Sequence, residues 1–245
     1  FLYSMNNLFL NTLSNHKTYR PPFWFMRQAG RYLPEYRALR SKTDGFLSLC
    51  LNSRLACEVT LQPVSRFEPD AAILFSDILI VPYGLGMSVD FVEGKGPVLD
   101  AISDSSDIKR LDPEQHKTRI EATYETVRLC RDKLSRDKAL IGFAGSPWTV
   151  ATYMVEGGAS KNYAKVKSWA YKDERSFNIL INIIINVRAR WYDVCPSSLP
   201  DSLSRNCRQG SERYEPPGPP RASRTPKPLK QGETPVSYTH LTLPT

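Results

Sequence analysis

FWFMRQAGRYLPEYR, at residues 23–37, runs from an apolar segment into a cluster of cations within one short stretch. Phe23–Met26 is aromatic-rich and of strand length, which predicts a buried strand. The run stops at Arg27-Gln28-Ala29-Gly30-Arg31, a loop by composition, where Gly30 would allow torsions and close approaches that a Cβ blocks. Arg27 and Arg31, held by such a loop, can converge on anionic groups, because a planar guanidinium meets a carboxylate with two parallel hydrogen bonds. An arbitrary arginine pair at this spacing is most often a solvated surface pair, so spacing alone does not make a site. Pro34 breaks any earlier helix, and Glu35–Arg40 begins one.

Upstream, residues 1–18 form a polar-flanked lead-in with one short helix over Asn6–Leu13 and no signal-peptide pattern. Downstream, Asn52–Val64 has helical spacing at Leu55, Ala56 and Val59, an Asn52 or Ser53 cap, and Pro63 as its stop. Ala71–Phe75 is a continuous apolar run, as in a strand buried on both faces, and it ends abruptly at Ser76 and Asp77. Residues 87–99 alternate and predict an extended excursion. A charged helix follows over 112–135, with Ile120, Tyr124, Val127 and Leu134 near one stripe. A third buried strand is expected over Ala139–Ala144, with Phe143 lining a cleft, and then helices over Val150–Val155, Asn162–Tyr171 and Ser176–Val187.

Strands alternating with helices indicate an α/β fold with a parallel sheet. All three expected strands carry polar residues just past their C-terminal ends, where a (β/α)8 barrel builds its active site. An open doubly wound sheet uses the same ends, so this polarity does not separate the two. No GxGxxG or P-loop follows a strand, which counts against nucleotide binding.

The 245 residues carry a net charge of +8, but residues 188–245 supply half of it, with nine Lys or Arg against five Asp or Glu. Five scattered cysteines show no CxxC pair and no metal-ligand spacing, which suits reduced thiols in a cytoplasmic protein and no bound metal. No apolar run reaches the ~18 residues of a membrane span. His16 and His116 are expected on the surface.

Residues 188–245 have no 3.6 or 2.0 periodicity and hold ten of the 19 prolines, a composition that cannot bury enough apolar surface to offset its ordering entropy. A disordered basic tail binding nucleic acid or membrane, a linker to another domain, and a non-native segment all fit. The last is favoured. The apolar pattern Phe177–Val187 stops without a cap, and the terminal VSYTHLTLPT resembles translated library adapter. On that reading there is no nucleic-acid or membrane partner, and Cys195, Cys207 and His240 carry no function.

Four blocks over residues 19–187 resemble the uroporphyrinogen decarboxylase family: MRQAGRYLPEYR at 26–37, LQPVSRFEPDAAILFSDIL at 61–79, VPYGLGMSVDFVEGKGPVL at 81–99 and IGFAGSPWTVATYMVEGGASK at 141–161. The resemblance implies a single (β/α)8 barrel, found as a homodimer, with a deep cleft at the strand C-termini. It implies a carboxy-lyase that needs no cofactor and removes CO2 from the four acetates of uroporphyrinogen III, giving coproporphyrinogen III. Residue by residue, Arg27 and Arg31 match the family's paired arginines, Asp77 its FSDIL aspartate and Tyr153 its TYMVEGG tyrosine. Asp77, Arg27 and Arg31 are thus the expected catalytic residues. Arg27, Gln28, Ala29, Gly30, Arg31, Asp77 and Tyr153 are the expected substrate-binding residues.

These residue types suit that chemistry. Breaking the acetate C–C bond releases an electron pair, and protonating the neighbouring pyrrole carbon makes the substrate its own electron sink. A central carboxylate can accept pyrrole N–H bonds and stabilise the charge on the protonated ring. A guanidinium, with its pKa above ~12, is a better carboxylate binder than general acid.

The chain departs from the family in one respect: the later serine and the GHG-type histidine are not found in it. As written it encodes about half the barrel, an open form with exposed sheet edges. The alternative is therefore an inactive truncated fragment. A related corrinoid methyltransferase needs late His/Cys zinc ligands that this sequence lacks. A basic-tail binding protein would bind nucleic acid in a salt-dependent way through 188–245.

Overall fold

A computed structural model of the protein describes residues 7–142 and 144–192, the last five as backbone only. Phe143 and the segment 193–245, with the expectations attached to them, lie outside the described residues. The first described helix is α1 (Leu8–Leu13), capped by the Asn7 side chain, whose Oδ1 accepts from the Leu10 N–H at 3.0 Å. Next come α2 (Pro34–Arg40), with Pro34 in its first turn, and α3 (Phe46–Cys50). Proline suits that first turn because its missing N–H would be unpaired there anyway.

Helix α4 (Ser53–Phe67) starts at the Asn52 cap, whose side chain accepts from the Leu55 N–H. It does not stop at Pro63, as its sequence would suggest. Pro63 is buried on the same face as Ala56, Val59 and Thr60, and this packed face holds the helix through the lost backbone bond. The helix ends instead at Glu68, which adopts the left-handed conformation.

β1 (Ala71–Ile73) leads into α5 (Ile80–Gly84), and the excursion that follows is an antiparallel hairpin of β2 (Val89–Val92) and β3 (Gly96–Leu99). The charged segment divides into α6 (His116–Arg119) and α7 (Glu121–Lys133), and Ile120, Tyr124, Val127 and Leu134 are all buried as their stripe predicts. β4 (Ala139–Ile141) pairs in parallel with β1, Ala71 facing Ala139. Three helices follow: α8 (Pro147–Glu156), α9 (Ala164–Lys172) and α10 (Glu174–Tyr192). α10 continues past Val187, the residue at which the apolar pattern stops.

The described residues are thus a mixed α/β arrangement around a two-stranded parallel pair, not a closed barrel. One apolar core joins α5, the hairpin and α8–α10, and a second joins α2, α3, α4, Phe75 and Tyr124. Two expectations are corrected here. His116 is fully buried rather than on the surface, and it lies so close to Gly84 that a Cβ there would meet its ring at 2.6 Å. Phe23–Met26 is not a buried strand: it forms no ladder, and Met26 is 51% exposed. Local pattern shows apolar residues of strand length, but the edge of β1 where this run would pair is occupied by the Gln28 side chain.

No helix among the described residues is long and apolar enough to cross a membrane. Cys50, Cys57 and Cys130 are free thiols, all buried.

Candidate active site

Asp77, the central residue expected from the sequence, lies just past the C-terminal end of β1, and three successive backbone N–H groups fix that end. Ile73 N–H donates to Gln28 Oε1 at 2.8 Å, Leu74 N–H to the Ile141 carbonyl at 2.9 Å, and Phe75 N–H to Thr60 Oγ1 at 2.9 Å. The loop, β4 and α4 therefore each hold one residue of the segment that ends in Asp77. Buried backbone donors must be paired, and here they are paired in sequence.

Asp77 follows directly. Its Oδ1 accepts from the Leu79 N–H at 2.8 Å, and its carbonyl accepts from the Ile80 N–H at the entry to α5. Burial pushes the Asp77 carboxyl up to about 6, with the Leu79 bond pulling the other way. Among the described residues no Lys or Arg forms an ion pair with Asp77.

Tyr153 lies on α8, which begins at the Ser146 cap and Pro147. Its hydroxyl pKa is raised by burial first, then by the negative charge of Asp77 and by Tyr163. Asp77 and Tyr153 thus share one electrostatic environment, and the raised pKa keeps the Tyr153 hydroxyl neutral. Cys50, which no motif singles out, feels the same charge, although burial is the larger cause of its strongly raised pKa.

The end of α8 explains the two glycines of its motif. Gly157 caps the helix in the left-handed conformation, and Gly158 has a φ of 153°. A Cβ on Gly158 would lie 2.7 Å from the Pro97 carbonyl oxygen. This close approach lets β3 bond to the helix end, Leu99 N–H donating to the Gly157 carbonyl at 3.0 Å. Glu156 Oε1 in turn accepts from the Val166 N–H in the first turn of α9. The motif after Tyr153 therefore fastens its helix to both the hairpin and the next helix.

The arginine loop is placed differently from what its composition suggests. Gln28 is 2% exposed, and its amide bonds β1 on both sides: Nε2–H donates to the Ala71 carbonyl at 2.7 Å, while Oε1 accepts from Ile73. The Tyr32 hydroxyl donates to the Gln28 carbonyl. Ala29 packs against the core of α2 and α3. Arg27 and Arg31 are exposed, and neither enters an ion pair among the described residues.

Gly30 needs neither a special φ nor a missing side chain for the chain's own sake, since a Cβ there would make only ordinary contact with the Tyr32 ring at 3.7 Å. The structure thus sets Asp77 and Tyr153 in one electrostatic environment and presents the two arginines on a loop pinned to β1, with no ion pair to Asp77 among the described residues.

Sequence reasoning missed two residues of this neighbourhood, Thr60 and Asp70, and marked a third, Ser76, only as a polar strand end. Thr60 holds Phe75. Ser76, beside Asp77, has a buried hydroxyl without a hydrogen-bond partner among the described residues. Asp70 holds the start of the loop: its carboxylate takes both Arg20 end nitrogens, at 2.7 and 2.8 Å, and the Phe23 N–H at 2.8 Å. Arg20 holds the Asp70 carboxyl below the usual carboxylate range. No local pattern marks Thr60 or Asp70, because both act on residues 15 and 47–50 positions away. Among the described residues no group of three or more His, Cys, Asp or Glu is arranged to hold a metal ion.

Comparison with known proteins identifies the family. The family model described as Uroporphyrinogen decarboxylase (URO-D) matches residues 4–194. The uroporphyrinogen decarboxylase of Rhodospirillum rubrum is 51% identical over 178 residues, covering 73% of this chain and 51% of its own length. That of Brucella ovis is 48% identical over 187 residues, covering 76% and 54%. A methyltransferase from Methanosarcina mazei superposes with a TM-score of 0.60 at 15% identity, over 80% of this chain and 61% of its own, a likeness of fold alone. The chain spans about half the length of the curated relatives it matches. With the family match extending over most of its residues, the chain belongs to the uroporphyrinogen decarboxylase family.

Proposed function

We propose that residues 19–187 supply the Asp77 side of a uroporphyrinogen decarboxylase cleft, in an intact protein that is a cytoplasmic, homodimeric (β/α)8 barrel of porphyrin and haem synthesis. The observation that carries this reading is the state of Asp77: a half-buried carboxyl pushed up to about 6 by desolvation, just past a strand C-terminus, in one electrostatic environment with the Tyr153 hydroxyl and, among the described residues, in no ion pair. A counter-ion there would have spent its charge on the protein. Left unpaired, the carboxylate gains by accepting pyrrole N–H bonds and by facing a cationic ring.

In this reading Arg27 and Arg31 bind substrate carboxylates, and Tyr153 donates to a substrate carboxylate or to Asp77. The space at Gly30, which the chain itself does not fill, admits the macrocycle edge. Each of the four decarboxylations consumes one net proton: a proton adds to the pyrrole carbon, the acetate C–C bond breaks into the ring, and CO2 leaves. A second proton then converts the resulting methylene to methyl as the ring loses the first. All of this uses the substrate's own electrons.

The half-length match supports a second reading, that this polypeptide is an inactive part of such an enzyme. The experiment grafts residues 19–187 in place of the matching segment of the Rhodospirillum rubrum enzyme and assays coproporphyrinogen formation. Turnover by the graft, lost in its Asp77→Ala variant with the fold retained, supports the site. Near-normal turnover in that variant sinks the role of Asp77. Turnover by the graft with none by the separate chain selects the fragment reading for the chain itself.

A further inference from the structure

We propose that Gln28 is a positioning residue: its buried side-chain amide takes the place of a strand on the open edge of β1 and so sets where Arg27 and Arg31 stand. The inference deepens the reading above, on which the anion-binding role of the two arginines rests.

The two edges of β1 are used differently. One edge pairs with β4: the Ala139 N–H donates to the Asp70 carbonyl and the Leu74 N–H to the Ile141 carbonyl, each at 2.9 Å. The other edge presents the Ala71 carbonyl and the Ile73 N–H. In a parallel ladder one residue of the neighbouring strand serves both such groups, its N–H donating to the first and its carbonyl accepting from the second. The primary amide of Gln28 does the same with one side chain, donating through Nε2 at 2.7 Å and accepting through Oε1 at 2.8 Å. It is 2% exposed, and both polar ends are committed to β1, which leaves the amide a positioning part rather than a substrate contact.

A second tie fixes the start of the same segment. The Asp70 N–H donates to the Phe23 carbonyl at 2.9 Å, and the Phe23 N–H donates to the Asp70 carboxylate. The chain is therefore anchored to one strand at Phe23 and again at Gln28, with Trp24, Phe25, Met26 and Arg27 exposed between the anchors. Arg27 immediately precedes the second anchor and Arg31 follows it by three residues. Fixing the backbone under two long cations before ligand arrives removes part of the ordering cost of binding. It also ties their position to the strand that ends at Asp77.

The test uses the full chain and its Gln28→Ala and Gln28→Glu variants. Amide exchange is read at Ile73, with Leu74 on the β4 side as the internal reference. Trypsin cleavage is read after Arg27 and Arg31, with Lys95 in the hairpin turn as the reference site. Loss of the two buried bonds in Gln28→Ala should raise Ile73 exchange and cleavage at the two arginines about tenfold, with both references unmoved.

Gln28→Glu adds a signature that side-chain volume alone would not give. A protonated carboxyl has one donor and one acceptor and replaces the amide, whereas a carboxylate opposes the Ala71 carbonyl. The Ile73-to-Leu74 exchange ratio should therefore match wild type near pH 5 and rise by pH 8. This arm also stands if Gln28→Ala fails to fold. Unchanged ratios in both variants, or a pH-independent one in Gln28→Glu, overturn the proposal.

Binding of a free octacarboxylic porphyrin, followed by fluorescence, separates the two levels. Weakening of about tenfold in Gln28→Ala supports positioning. A loosened loop with unchanged affinity overturns it. If the wild-type chain binds no porphyrin, the anion-binding reading fails, and the exchange and cleavage data still decide whether Gln28 pins the loop.

Discussion

The Thr60 hydroxyl joins α4 to the segment leading to Asp77: it accepts from the Phe75 N–H at 2.9 Å and donates to the Ala56 carbonyl at 2.7 Å. Both bonds are buried, so Thr60→Val leaves the Phe75 N–H without an acceptor while keeping the shape of the side chain. The expected loss is about 1–3 kcal/mol in urea unfolding. Thr60→Ser, which keeps the oxygen, should lose clearly less. Equal losses in the two variants would mean that packing, not the bond, holds this end of β1.

Asp77 makes a prediction about pH. Its pKa is about 6 in the folded chain against an ordinary 3.8. The folded state therefore binds the proton more tightly, so stability is fully present below pH ~4 and falls as pH rises through about 6. The two-unit difference corresponds to about 3 kcal/mol. Asp77→Asn retains an oxygen for the Leu79 N–H but has no charge to bury. Its stability relative to wild type should increase between pH 4 and 7 by up to that amount, measured by chemical unfolding across the range. A difference that does not change with pH would place Asp77 in contact with water.

Two glycines of the matching blocks should respond in opposite ways. Gly158→Ala pushes a Cβ against the Pro97 carbonyl oxygen in a backbone conformation that side chains avoid, and should cost about 1–3 kcal/mol. Gly30→Ala has room and an ordinary φ, so thermal unfolding should shift little. If Gly30 instead makes space for ligand, that variant should lose affinity for an octacarboxylic porphyrin while remaining folded. Retained affinity would leave Gly30 without a role in binding.

Much of the helical structure was legible because it depends on local rules. Asn52 caps α4, Pro34 starts α2, and Ile120, Tyr124, Val127 and Leu134 form one buried stripe. The alternating stretch at 87–99 is indeed an extended hairpin. The departures have non-local causes. Pro63 stays inside α4 because a packed face outweighs one lost bond. Phe23–Met26 has the composition of a strand, but a side chain five residues after Phe23 occupies the edge it would use. His116 is polar in the sequence yet lies buried against Gly84 once α5 and α6 pack together. Asp77 was marked by an abrupt change of polarity after an apolar run. Thr60 and Asp70, which position the elements around it, are visible only as long-range hydrogen bonds.

The most direct measurement is the titration of the Asp77 carboxyl by carbon NMR, in the free chain and under anaerobic conditions with saturating uroporphyrinogen. A central carboxylate for the pyrrole N–H groups should titrate near 6 alone and clearly lower with the macrocycle bound, because donors stabilise its charged form. An Asp77 titration that bound macrocycle leaves in place would contradict the account.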